Sequence, residues 1–504
     1  MASLGGKSIS AVFWGAGGAG FRMVLQLGTQ VTLARLLGPI EYGVFAIGAL
    51  VIGFSAFFSD VGLAYGLIQK REVNERDVRF VVTWQFILGT VVTALIALAA
   101  SPIATFFGEP RAASVVLFLS ALCLINALTA PALNLLKRDM DFKSIQIDFL
   151  LSYVVGYLFV GLPMALSGFH VWALVWAWLI QAAVNGLLLY RRTQHALRPL
   201  IWYEEALVQG AYAGTVLATN MLNWAIANID RIIIGRVLPS RELGIYSNTF
   251  NLLYSPTNSV LSVLQPVFFS ASSRLSHQSD SSRIGSGFLA LVAAIALFVL
   301  PVFMSVAAIS ETFILTLYGG AWASAAAVCT PLALAMPLYL LWGMSTPLLW
   351  TAGRASSEFL AQWPLVLTWG AACWLLAPLG LAAVAWGVLG LFLVRCGLVL
   401  RVGLPLLGIR FLDLWLAVRG GAMLSLVVAA LAAGIDASLN ELRPAVRLIC
   451  AGLSGGLFFI SVLHLFPRLI GQELSEVLRR VSSRLPPKAA AYMNTQLDKG
   501  QKSE

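Results

Sequence analysis

Apolar runs of about twenty residues, parted by short polar connections, recur along almost the whole chain. They fall near 10–36, 42–67, 80–101, 113–136, 145–167 and 171–190, then near 209–235, 243–269, 286–308, 323–350, 358–378 and 381–400. Two more follow near 413–433 and 446–466. At 1.5 Å per residue each is long enough to cross the roughly 30 Å hydrocarbon core of a bilayer as a helix. Lipid offers the backbone no hydrogen-bond partners, so a crossing segment must satisfy its own, and runs of this length do so by coiling. The pattern predicts an all-α polytopic membrane protein of about 14 transmembrane helices. The first run carries Arg22 in its middle and is too long for a cleaved leader, so it reads as a retained span.

The connections contain a repeat. Residues 34–45, Ala-Arg-Leu-Leu-Gly-Pro-Ile-Glu-Tyr-Gly-Val-Phe, return 201 positions later as Gly-Arg-Val-Leu-Pro-Ser-Arg-Glu-Leu-Gly-Ile-Tyr. Arg35 aligns with Arg236, Leu37 with Leu238, Glu41 with Glu242, Gly43 with Gly244 and Phe45 with Tyr246. A second echo pairs Phe106-Phe107-Gly108-Glu109 with Leu317-Tyr318-Gly319-Gly320, about 210 positions on. Six spans per copy give both copies the same orientation, the architecture of carriers that work at the seam between repeats. The expected organisation is an N-terminal six-helix lobe over 1–192, a cytoplasmic linker over 193–208 and a second six-helix lobe over 209–404. Two extra helices over 405–467 and a tail over 468–504 follow, the tail beginning with an amphipathic helix on the inner leaflet and ending disordered.

Composition agrees. Of 504 residues, 59% are hydrophobic and 11% charged, where a soluble chain carries about 25% charge. Lysine and arginine gather on one set of connections: Lys70, Arg71, Arg76 and Arg79; Lys137, Arg138 and Lys143; Arg191, Arg192 and Arg198; then Arg401, Arg410 and the tail. The opposite set holds Arg35, Arg111, Arg236, Arg241, Arg443 and Arg447. A bias of about four to one places both termini in the cytoplasm and makes the net charge of +10 an anchor to the inner leaflet; no nucleic-acid partner is called for. Five isolated cysteines and four scattered histidines offer no metal-ligand spacing, and no cofactor is expected.

Two catalytic patterns match in letters alone. Gly15-Ala-Gly17-Gly18-Ala-Gly20 fits the dinucleotide fingerprint, and Gly452-Leu-Ser454-Gly-Gly456 fits the esterase elbow. Both require a strand-to-helix turn, and both lie inside spans, where small residues serve close helix packing. The outer connections are short, so the chain reads as a carrier and not an enzyme.

Arg22 is the foremost candidate site residue. It lies about thirteen residues into its span, too deep to snorkel freely, and must face a partner or a water-filled cavity. One reading is a structural ion pair with Asp60; the other is a guanidinium waiting for an anion such as phosphate. Asn220, Asn223, Asn228, Asp230 and Arg231 share one broad arc of the seventh span, and Asn248, Asn251 and Asn258 continue it in the eighth. Such amides suit sugar hydroxyls, and equally serve as interhelical glue. Asp148 is ambiguous, and Arg395 and Arg419 read as residues that snorkel to the cytoplasmic boundary.

Residues Val31–Gly43, Phe58–Gln69, Phe106–Pro110 and Asn228–Arg236 together resemble bacterial polysaccharide exporters of the Wzx/WzxC type. These belong to the multidrug/oligosaccharidyl-lipid/polysaccharide exporter superfamily. The resemblance runs over about residues 5–410 and implies two six-helix lobes around a central cationic cavity. It implies a flippase moving a polyprenyl-pyrophosphate-linked glycan across the inner membrane by alternating access, with a polysaccharide polymerase or co-polymerase as a further partner. Arg22, Asp60, Asn220, Asn223, Asp230, Arg231 and Asn251 are then the cavity candidates. The alternatives are a MATE-type small-molecule exporter, which calls for deep acidic residues, and a polymerase or non-transporting member of an assembly complex.

Overall fold

A computed structural model describes residues 4–59, 73–203, 213–277, 281–351 and 355–466, with single positions at 63, 64, 67, 70, 469, 474, 475 and 479. Within helices, the side chains of residues 4–22, 213–220, 269–277 and 346–362 fall outside the description. Helices account for nearly all of it, and no strand occurs among the described residues. In chain order they are α1 (Leu4–Ser59), α2 (Glu75–Phe107), α3 (Arg111–Arg138), α4 (Phe142–Leu166) and α5 (Trp172–Thr193). Next come α6 (Ala213–Val237), α7 (Ser240–His277), α8 (Ile284–Ala308), the short α9 (Ser310–Leu317) and α10 (Ala325–Thr351). The last four are α11 (Ala355–Leu376), α12 (Leu381–Leu406), α13 (Phe411–Ser438) and α14 (Pro444–Leu465).

The first hairpin is sharper than a loop. α1 runs through it, broken only at Gly38, whose φ of 74° and ψ of 175° lie where side chains are strained, just before Pro39. With α1 taken as two arms and α9 set aside, the helices correspond to the fourteen expected spans. Ten described helices are long and apolar enough to cross a membrane on length and composition. The chain is an all-helical, multi-span membrane protein. The echo at Gly108 and Gly319 has a conformational basis, since each ends its helix with positive φ, 66° and 85°.

Two compact units divide the chain. One comprises 1–248 with 365–378, and the other 249–364 with 379–504. In the first, α3 packs between α2 and α5, and α4 lies along α5. Gly156 permits that last approach, because a Cβ there would stand 2.5 Å from the Ala177 carbonyl oxygen. The N-terminal half of α4 is fixed by Arg192, whose Nε and Nη2 donate to both oxygens of buried Asp148 at 2.6 and 2.7 Å. Asp148 is thus one half of a structural ion pair.

After α5 the chain turns back and is stitched to the start of α2. Arg79 Nε donates to the Arg198 carbonyl (3.1 Å), the Leu200 N–H to Thr83 Oγ1 (2.8 Å), and Trp84 Nε1 to the Ile201 carbonyl (3.0 Å). Tyr203 donates its hydroxyl to buried Asp77, which also accepts from Lys70 at 2.8 Å. The first half of the expected linker is therefore a bound strap; 204–212 lie outside the described residues.

In the second unit α10 packs along α12, and α13 crosses α8. The crossing is tight: a Cβ on Gly421 would meet the Ala296 carbonyl carbon and oxygen at 2.5 Å. At the α13–α14 turn, Arg447 forks onto Asp436 at 2.7 and 2.9 Å. Beyond α14, Leu474 is buried with Leu297, Leu424 and Val428; the rest of the expected tail helix lies almost wholly outside the described residues. Gly421→Leu is expected to push α13 off α8 and cost about 1–3 kcal/mol. A lowered unfolding midpoint of the purified protein in detergent measures it.

Candidate functional site

The two repeated hairpins meet inside the first unit, and the aligned glycines make the contact. A Cβ on Gly43 would stand 1.7 Å from the Ser240 carbonyl oxygen, and one on Gly244 would stand 1.9 Å from the Pro39 carbonyl oxygen. Ser240 follows Pro39 by the same 201 positions that separate Gly244 from Gly43. The contact is therefore reciprocal, each glycine lying on the carbonyl that its counterpart's hairpin presents, as at a two-fold axis. No other residue type fits at either place without moving the backbone.

Polar groups surround this contact. Arg111 Nε donates to Glu109 Oε1 (3.0 Å), and its Nη1 to Glu41 Oε1 (3.2 Å). Ser240 Oγ donates to Glu109 Oε2 (2.7 Å), and the Val171 N–H to Glu41 Oε2 (3.0 Å). Arg111 is half exposed, so its ion pairs contribute only about 0–1 kcal/mol each. The backbone approach at the glycines decides the closure more than the charges do. Burial pushes the Glu109 carboxyl up, but hydrogen bonds from Arg111 and Ser240 outweigh it and hold it below its ordinary value of 4.5. Its contribution is complete above that value and is lost only as pH falls through the lower folded pKa, so the closure is insensitive to pH near neutrality.

Deeper along α6 and α7 lies a buried polar group. Tyr246, fully buried, donates to Asp230 Oδ2 at 2.5 Å, and the Arg231 N–H donates to Oδ1 at 2.8 Å. Arg231 Nη1 donates to Asn228 Oδ1 at 3.1 Å. Gln30 Nε2 on α1 donates to Asn248 Oδ1 on α7 at 2.8 Å. Asn223 and Asn251 are exposed on their helices. The structure thus brings Asp230 and Arg231 together with Asn228, and separates them from outward-facing Asn223 and Asn251. Arg22 and Asn220 lie on α1 and α6 with side chains outside the described residues, and Asp60 lies outside them altogether. The glycines at 15–20 and 452–456 sit in helices, with no strand before either.

Arg395 requires a correction. Expected to snorkel, it is 5% exposed, in the middle of α12, with its guanidinium 3.8 Å from the centre of the Trp342 ring. An aromatic face on another helix replaces water as its partner. Gln30 was not singled out by the sequence, and Tyr246 was noted only as the repeat partner of Phe45, because nothing local distinguishes a residue that faces a distant helix.

Paired repeat hairpins packed on each other, within a multi-span helical protein carrying buried polar residues, are features that carriers share. The chain belongs to the polysaccharide biosynthesis protein family, whose pattern matches residues 32–327. It is 25% identical over 342 residues to the succinoglycan biosynthesis transport protein ExoT of Rhizobium meliloti, covering 68% of each chain. It is 21% identical to the lipopolysaccharide biosynthesis protein WzxC of Escherichia coli, covering 64% of this chain and 65% of that one. It is 23% identical to the teichuronic acid biosynthesis protein TuaB of Bacillus subtilis, covering 66% and 69%. Among solved structures, the lipid II flippase MurJ in an inward closed conformation shares the fold, with a TM-score of 0.69 and 12% identity over 91% of this chain and 98% of that one. An inward-facing MATE family multidrug resistance transporter scores 0.54, with 13% identity over 80% and 94%.

Gly43→Leu is expected to part the hairpins. A cysteine placed by Leu243→Cys, at a side chain fully buried beside the contact, should then react with a membrane-impermeant maleimide several-fold faster. In the wild-type hairpin it should stay protected equally at pH 6 and pH 8, since Glu109, held below its ordinary 4.5, keeps its charge across that range.

Proposed function

We propose that this protein is a flippase that carries a polyprenyl-pyrophosphate-linked oligosaccharide across the bacterial inner membrane by alternating access. One observation carries the reading: a chain of the polysaccharide biosynthesis family, whose curated relatives include a succinoglycan transport protein, has over 91% of its length the fold of a lipid II flippase. The cargo is amphiphilic and anionic, which suits arginines at membrane depth for the pyrophosphate and amides for the sugars. In this reading Arg22 and Arg231 serve the anion, Asn220, Asn223 and Asn251 the hydroxyls, and Asp60 and Asp230 are the carboxylates available to shape or couple the cycle.

The working parts are the lobes 1–192 and 209–404, joined by the linker 193–208, with 405–467 as an added pair. Both termini lie in the cytoplasm, where the cationic connections and tail meet anionic lipid. The Gly43–Gly244 contact then closes the outer end. Polymer assembly is left to a polymerase or co-polymerase that receives the flipped unit.

In a strain lacking the protein, unpolymerised lipid-linked oligosaccharide should accumulate on the cytoplasmic face, protected from an external glycosidase or lectin. Short precursor exposed on the outer face would assign the protein to polymerisation and end the flippase reading. Arg22→Ala should abolish polymer export at normal levels of inserted protein; full polymer output from that variant would remove Arg22 from the site.

A further inference from the structure

α7 is amphipathic in the wrong place for a helix surrounded by lipid. From Asn251 to Gln265, about 20 Å of helix, the residues at 251, 254, 255, 258, 262 and 265 fall within about 100° of arc and are amides, serines or tyrosine. The opposite face carries Leu253, Pro256, Val260 and Leu264. Asn251 and Ser262 are exposed, and Tyr254 and Asn258 are partly so. An exposed amide at this depth is costly against hydrocarbon and is held where water or a polar ligand can reach it.

The middle of this stripe is organised by rings. Tyr254 stacks on Phe250 at 5.3 Å between centroids and tilts against Tyr339 of α10 at 5.2 Å. Tyr339 continues to Trp342 at 5.9 Å, and Trp342 carries Arg395 on its face. The hydroxyls of Tyr254 and Tyr339 both donate to Asn258 Oδ1, at 3.3 and 3.1 Å. That fixes the amide plane and leaves its NH2 with no acceptor among the described residues.

We propose that the Asn251–Tyr254–Asn258 face of α7, backed by Tyr339, is a carbohydrate-binding subsite for the pyranose rings of the lipid-linked glycan. A partly exposed tyrosine ring beside an oriented amide whose NH2 has no acceptor among the described residues matches what a sugar offers: an apolar C–H face and hydroxyl acceptors. An acyl chain would leave the amide unsatisfied. A phosphate would need Arg395, which is buried and held on Trp342. The guanidinium anchors the aromatic row and is a positioning residue. This subsite rests on the flippase reading and adds residues of the second unit to those proposed for the sugar end of the cargo.

Purified full-length protein in nanodiscs is offered two synthetic lipids, a polyprenyl pyrophosphate bearing an oligosaccharide and the same lipid without sugar, with binding read by native mass spectrometry. Asn258→Ala and Tyr254→Leu should each weaken the glycosylated lipid about tenfold and leave the bare lipid within twofold. Tyr254→Phe, which keeps the ring, should retain most of the affinity. Asn251→Ala, at an exposed position, should show the same selectivity at normal levels of folded protein. Equal losses for both lipids, or no loss for the glycosylated one, would overturn the subsite while leaving a lipid carrier. Wild-type protein that binds neither lipid would end the flippase reading itself, and the subsite with it.

Discussion

Hydrocarbon supplies neither donor nor acceptor, and every polar atom placed in it must find a partner within the chain or reach water. That constraint makes the fold helical, and it also sorts the polar side chains. Asp148 has both oxygens covered by Arg192, Asp230 by Tyr246 and a backbone N–H, and Gln30 and Asn248 satisfy one another. Such groups hold helices together. Asn223 and Asn251 are instead exposed on their helices. Burial thus separates residues of one chemical type.

Packing follows a second rule that lipid imposes. Apolar side chains gain nothing by leaving lipid for protein, so helices associate through close fit. Glycines provide it at Gly156 on α4, at Gly421 on α13, and at Gly43 and Gly244 in the hairpins. The hairpin pair joins segments far apart in sequence through backbone approach, and the Arg111 that pairs with the acids around it is half exposed, so those ion pairs are individually weak.

The spans and the repeat were legible because both are local. A run of twenty apolar residues needs no knowledge of its neighbours, and the two hairpins kept their glycines in register. What the aligned glycines do was not legible, since nothing in either motif shows that Gly43 lies on Ser240. Arg395 was misread for the same reason: its depth can be judged from its own helix, but the Trp342 face that holds it belongs to another. Asp148 looked ambiguous until Arg192, one helix away, declared it paired. Sequence gave the polar inventory, and only the fold could say which members had already been satisfied.

The reciprocity at Gly43 and Gly244 bears on how such a chain arose. A hairpin whose carbonyl receives the glycine of its counterpart, and whose glycine enters the counterpart's carbonyl, is self-complementary. A half-length ancestor carrying one such hairpin could seat the same surface against a second copy of itself, both inserted in the same direction as six-span units require. Fusion of two such copies would make the pair permanent and leave its halves free to diverge. The two halves differ in charge there: Glu109 and Arg111 stand beside the contact in the first, Gly320 and Trp322 after the same echo motif in the second.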